Sequence, residues 1–365
     1  MKKNAVKYLI LSVSAFFLCS CGEAQKEILH PDFELSYWID IDLRHNPGRG
    51  YWKPADSLPA DPVPERRHIA NAVRCLRETY GADKLYVVYH RQFEPDAARE
   101  VLLRWKEEGV RRGVRIVPTV VPESYATPTT MNFTDSTLCE FAAWCLREID
   151  PDEFGLYDVY VRQAPGSAQD AQMAVLRRAV GDRLVRIGLQ PGEELSRHCK
   201  AGVEDTWTAE CQGLTNELWE HPDSVGGTDE YGRKLLESWV RERAEGETRR
   251  IVWDMIPVAW DYDEPVDPLG YVCPGDDALI NDPPVDGRIE LCHKYISAGY
   301  PDGTMTPKFG GYSCDLHILE ANSAGKPESP SFYEQLREGK SYTGYFSGAM
   351  EQIGGLYKKL GASKR

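Results

Sequence analysis

Long apolar runs are scarce in this 365-residue sequence, and the one that stands out, Tyr8 to Leu18, is too short for an ordinary membrane-spanning helix. Basic clusters are scarce too. Nothing longer than short pairs such as Arg111-Arg112 occurs, and the net charge is −14. Nucleic-acid phosphates would be repelled by such a chain, so no nucleic-acid partner is expected. Neutral or cationic ligands are easier to accommodate. No Cys-x-x-Cys occurs, which argues against a zinc ribbon or a thioredoxin-like site. The histidines show neither His-x-x-x-His nor His-Glu-x-x-His spacing, and the acidic run Asp261, Asp263, Glu264 and Asp267 lacks the EF-hand spacing and its turn glycine. Cys314-Asp315-Leu316-His317 brings no third ligand into view, so no metal and no cofactor is expected. Low-complexity tracts and internal repeats beyond a strand-helix unit are missing as well.

What is present begins with a targeting segment. Lys2, Lys3 and Lys7 precede the apolar run, and Leu18-Cys19-Ser20-Cys21 follows it. This resembles a bacterial lipoprotein signal, with an aliphatic residue three before the cysteine and a small one just before it. The resemblance implies lipidation at Cys21 and an envelope location, at the outer membrane or the periplasmic face. An ordinary cleaved signal peptide is the alternative. The expected organisation is a signal over 1–21, a tether over 22–31 and a folded domain over 32–365. Eight cysteines follow Cys21, and their spacings identify no pairs. Cys139 and Cys145 point to different faces of one helix and should not pair; most of the eight read as small core residues.

The folded part is organised around Leu35 to Leu43. Its odd positions Leu35, Tyr37, Ile39, Ile41 and Leu43 are apolar, while Ser36, Trp38, Asp40 and Asp42 form the other face of a strand. Further strands are expected at 85–90, 114–121, 156–162, 184–190, 203–211, 250–258 and 304–309. Between them lie helical stretches, with helices also at 230–243, 288–298, 332–337 and 349–360. About eight alternations of strand and helix imply a parallel sheet. The connections are lopsided: tight from helix to strand, as at Arg112-Gly113 and Gly181-Asp182, and long from strand to helix. That asymmetry favours a (β/α)8 TIM barrel with working loops at the C-terminal rim. A dinucleotide-binding sheet would carry Gly-x-Gly-x-x-Gly after its first strand, where His45-Asn46-Pro47-Gly48-Arg49-Gly50 stands instead.

Extending the first strand's alternation, the apolar faces pack on helices and the interior collects Asp40, Asp42, His90, Glu123, Asp158, Arg162, Gln190, Glu210, Asp254 and Lys308. In the fourth strand this assigns Tyr157 to the helix-facing side. A structural network of mutually neutralising charges would explain part of this set. Carboxylates gathered near strand C-terminal ends, beneath long loops, favour a site. Trp38 and Trp260 are candidate stacking faces for sugar rings.

In this layout the chain resembles an exported (β/α)8 glycoside hydrolase of the kind found among glycan-foraging envelope lipoproteins. Two barrel patterns are not matched. The largest retaining clan carries Asn-Glu at the end of strand four, where Tyr160-Val161-Arg162-Gln163 stands, and the chitinase-like Asp-x-x-Asp-x-Asp-x-Glu is missing. From chemistry alone, glycosidic cleavage needs one protonated and one ionised carboxyl group. Glu210 and Asp254, on consecutive strands, are the expected pair, with Glu210 the acid and Asp254 kept ionised by Lys308. Glu123, Asp158 and Asp40 are the runners-up, and His90, Arg91, Arg162, Gln190 and Lys308 are candidate substrate contacts. The expected partners are a carbohydrate and, through Cys21, a membrane. A non-catalytic glycan-binding lipoprotein on the same scaffold remains the second reading.

Overall fold

The computed structural model describes residues 32–43, 64–89, 95–120, 135–159, 168–189, 206–210, 250–255, 259–260, 279–280, 288–298, 309–317, 319–320, 330–344 and 346–364. Its strands are β1 (Glu34–Asp40), β2 (Lys84–Tyr89), β3 (Arg115–Val120), β4 (Glu153–Val159), β5 (Leu184–Leu189), β6 (Thr206–Glu210), β7 (Arg250–Asp254), β8 (Ala259–Trp260), β9 (Leu279–Ile280) and β10 (Phe309–Asp315). Its helices are α1 (Arg66–Glu78), α2 (Pro95–Arg112), α3 (Asp135–Glu148), α4 (Ala168–Val180), α5 (Arg288–Ala298), α6 (Phe332–Glu338) and α7 (Ser347–Ser363).

β1 uses its alternation as the sequence implies. On one face, Tyr37 meets the ring of Tyr357 of α7 at 5.1 Å and donates its hydroxyl to the Tyr80 carbonyl at 2.9 Å. On the other, the Trp38 ring stacks on Tyr86 of β2 at 4.3 Å. All of β1 is buried. A strand covered on both faces belongs inside a sheet that curls on itself. The pairing agrees: the order is β1-β10-β7-β6-β5-β4-β3-β2, every pair is parallel, and β1 bonds to both β2 and β10. β8 and β9 form a separate antiparallel pair.

The helices cover the outer face with apolar residues at helical spacing. Ile69, Ala72, Val73 and Leu76 of α1 are buried, as are Leu138, Phe141, Ala142 and Cys145 of α3. Helix-to-strand joints are short, and Gly113 and Gly181 sit there with φ of 65° and 63°, a region that glycine enters without a Cβ penalty. The expected helix at 230–243 lies outside the described residues. Among the described cysteines, Cys75, Cys145 and Cys314 are buried thiols, whereas Cys139 is exposed.

Three expectations need correction. The last barrel strand is Phe309–Asp315, not 304–309, and Phe309 is the one residue that both share. Gly310-Gly311 reads as a terminator but lies within the strand. A Cβ on Gly311 would come within 2.1 Å of the Glu34 carbonyl oxygen, so the glycine marks a close backbone approach at the seam with β1. β4 starts three residues earlier than expected, at Glu153. Tyr157, which shares the parity of Glu153, faces the interior, 5.6 Å from the Trp38 ring, instead of the helices.

Candidate active site

Two polar layers cross the interior. The lower one lies near the strand N-termini, where Lys84 of β2 stands 2.7 Å from Glu34 of β1 and 2.6 Å from Glu153 of β4. The Tyr86 hydroxyl lies 3.0 Å from Glu34 and 2.8 Å from Glu153. Arg186 of β5 pairs with the other Glu34 oxygen. Its guanidinium carbon sits 4.4 Å from the Tyr86 ring centre and 4.9 Å from that of Trp38. Two cations and two carboxylates thus balance within an apolar shell. Burial pulls the Lys84 ammonium down from its ordinary range, and the Glu153 carboxylate works against that shift. Such a layer is a plug: every charge in it has an opposite one in contact.

Trp38 lies above the plug. It is 1% exposed, and Tyr86, Tyr157 and Arg186 surround its ring. That corrects its expected role as an open stacking face: the indole fills the barrel instead.

The upper layer gathers at strand C-terminal ends. Asp40 closes β1, Asp254 closes β7 and Asp315 closes β10, all buried. Strand register brings them to one sector, with Ser313 opposite Asp254 and Trp38 opposite Asp315. His317, just past β10, places Nδ1 2.6 Å from Asp40 Oδ2 and donates its main-chain N–H to Asp315 Oδ1 at 2.9 Å. Its ring meets Tyr157 edge-on at 5.9 Å. The Asp40 main-chain N–H donates to the Tyr333 hydroxyl of α6 at 3.2 Å. α6 is itself fixed by buried Glu320, which accepts from the Ser331 hydroxyl at 2.7 Å and from the Phe332 and Tyr333 amides at 2.7 and 3.2 Å. A carboxylate at a helix N-terminus satisfies its orphan donors and complements its dipole.

Asp254 differs from the carboxylates of the plug. Burial first, then the neighbouring charge of Asp315, pushes its carboxyl well above the usual range, and Arg186 below only partly offsets this. Its Oδ1 has no hydrogen-bond partner among the described residues. The sequence reading kept Asp254 ionised; its surroundings favour the protonated form.

Glu210 ends β6 with its Cα paired to that of Asp254, so the backbone brings the two expected catalytic residues side by side. Asp158 of β4 and Trp260 of β8 are placed by backbone alone. His90, Arg91, Glu123, Arg162, Gln190, Lys308 and Cys21 lie outside the described residues. The sequence reading missed Asp315, His317, Tyr157 and Tyr333 as site residues, along with the whole plug.

No protein-family model and no curated protein matches the sequence. Among solved structures the chain is similar to an Anoxybacillus alpha-amylase, at 12% identity and a TM-score of 0.45, over 92% of this chain and 81% of that one. It is similar at 11% identity and a TM-score of 0.44 to the GH99 endo-alpha-mannosidase of Bacteroides thetaiotaomicron, over 92% and 98%. N-acetylneuraminate lyase from Mycoplasma synoviae matches at 12% and 0.37; this chain covers 66% of its length. These are resemblances of layout, and the fold here rests on the strand pairing of the chain itself.

Proposed function

We propose that the chain is a glycan-acting hydrolase on a (β/α)8 barrel, held to a bacterial envelope membrane by a lipid on Cys21. Asp254 gives its proton to the leaving oxygen of a glycosidic bond. Glu210, paired with it through the backbone of β6, takes the role of the ionised carboxylate that offsets the positive charge developing at the anomeric carbon. These roles exchange those assigned from the sequence. The observation that carries the reading is Asp254: a buried, raised-pKa carboxyl with one oxygen unpartnered among the described residues, at a strand C-terminal end, where barrel enzymes keep their chemistry. The lower layer supports it by contrast, because its carboxylates are all matched by cations.

The test is hydrolysis of a glycan panel by the protein lacking residues 1–21. Asp254→Asn and Glu210→Gln should each lower kcat by roughly 10²–10⁴-fold on any substrate that the wild type cleaves. Wild-type rates in both variants would remove the assignment. The second reading, glycan binding without cleavage, is favoured by one observation: Asp40 and Asp315 already hold His317. Saturable binding with no product would decide for it.

A further inference from the structure

Asp40 and His317 form a second titratable pair in the same layer, and the two-carboxyl scheme leaves it without a task. Three of its contacts lie among the described residues. Asp40 Oδ2 lies 2.6 Å from His317 Nδ1, Asp315 holds the His317 main chain at 2.9 Å, and Tyr333 holds the Asp40 main chain at 3.2 Å. Tyr157 sets the plane of the imidazole from the side. With Asp40 ionised and the ring neutral, Nδ1 is the donor in this bond and Nε2 is the nitrogen that can take up a proton. The same division of labour makes imidazole a base wherever a buried carboxylate orients it.

We propose that His317 is the catalytic base of this site and Asp40 its positioning residue. The proposal rests on the glycan-hydrolase reading above and fixes what that reading leaves open, namely which group activates water. The attacking water gives a proton to Nε2 as its oxygen bonds to the anomeric carbon. The bond from that carbon to the leaving oxygen breaks, and the leaving oxygen takes the Asp254 proton. Afterwards His317 loses a proton to solvent and Asp254 regains one. Glu210 then stabilises charge without forming a bond to the sugar, so the product anomer is inverted. The titratable neighbours of the pair are Tyr157 from β4, Asp315 at the end of β10 and Tyr333 from α6, with Asp254 of β7 beside Asp315 and Glu320 beside Tyr333.

The experiment takes a glycan cleaved by the wild type and reads three things: the anomer first released, by proton NMR; the pH profile of kcat/KM; and rescue by added imidazole. Inversion is expected. His317→Gln and His317→Ala should lose roughly 10²–10⁴-fold in kcat. The acidic limb of the profile should vanish in His317→Gln and shift in Asp40→Asn. Imidazole should restore part of the rate to His317→Ala and none to Asp254→Asn. If the alanine variant does not fold, the glutamine variant, whose amide can still donate to Asp40, carries the test. Retention of configuration, or an unchanged acidic limb in His317→Gln beside an inactive Asp254→Asn, overturns the base assignment and leaves the hydrolase reading standing. A wild type that cleaves no glycan removes both.

Discussion

Asp254 shows how the residues of this barrel divide between holding the fold and opposing it. Its folded-state pKa lies above the unfolded value, so the folded chain keeps a proton that the unfolded chain has released above about pH 4. The stability linked to that proton is full below the ordinary carboxylate range. It is lost as pH rises from there through the folded pKa. Asp254→Asn, which mimics the protonated form, should therefore raise the thermal midpoint at pH 7 while abolishing activity, and the gain should fade as pH approaches 4. Thermal melts across pH 4–8 check this, and a variant less stable at pH 7 would contradict it. Lys84 lies at the opposite pole. It contacts both Glu34 and Glu153, and Lys84→Met takes from Glu153 its ion-pair partner while Glu34 keeps Arg186. Breaking a buried pair from one side costs about 3–5 kcal/mol, and urea unfolding of Lys84→Met should show a loss of that order.

At the scale of the element, the seam between β1 and β10 decides whether the sheet closes. Gly311 has φ of 144°, and the Cβ of any other residue would strike the Glu34 backbone. Gly311→Ala should cost stability at the upper end of the ~1–3 kcal/mol that overpacking usually costs, read as a lower urea midpoint. The same glycine explains why this strand was the least legible. Gly310-Gly311 looks like punctuation in the sequence, and what makes it strand is an approach by a segment more than two hundred residues away. With β10 displaced, Ser313 and Asp315 lost their parity, and His317 had no strand end beside which to stand. The plug was hidden by a related effect. Glu34, Lys84 and Glu153 are the first residues of their strands, beside or near the apolar runs that begin at Leu35, Leu85 and Leu156. Alternation sets a strand's apolar run, but a charge at its start reads equally well as loop until the opposite charges converge. Where both faces of a strand follow from its own residues, as in β1, β5 and β7, the pattern was enough. The inward parity of Asp40, Arg186 and Asp254 follows from it.

At the scale of the whole molecule, the two polar layers give the barrel a direction. The lower end is closed by paired charges and by the Trp38–Tyr86 stack. The upper end carries the acids and His317. The chain enters β1 at Glu34, on the plugged side, so a lipid at Cys21 would tether the protein by the end remote from its chemistry. Residues 22–31, at no more than about 3.3–3.6 Å each, can extend to roughly 35 Å, enough to lift the barrel clear of headgroups. Binding and cleavage should then be indifferent to the anchor, whereas location should depend on it wholly. Cys21→Ser should move the protein from the membrane fraction to the soluble one and abolish labelling by a radioactive fatty acid. The thermal midpoint and the kcat on a soluble oligosaccharide should stay unchanged. A single acyl chain binds membranes only marginally, so a wild type that stays in the pellet through a carbonate wash implies more than one chain on the N-terminal cysteine. Persistence of Cys21→Ser in the membrane fraction would remove lipidation at Cys21 as the means of attachment.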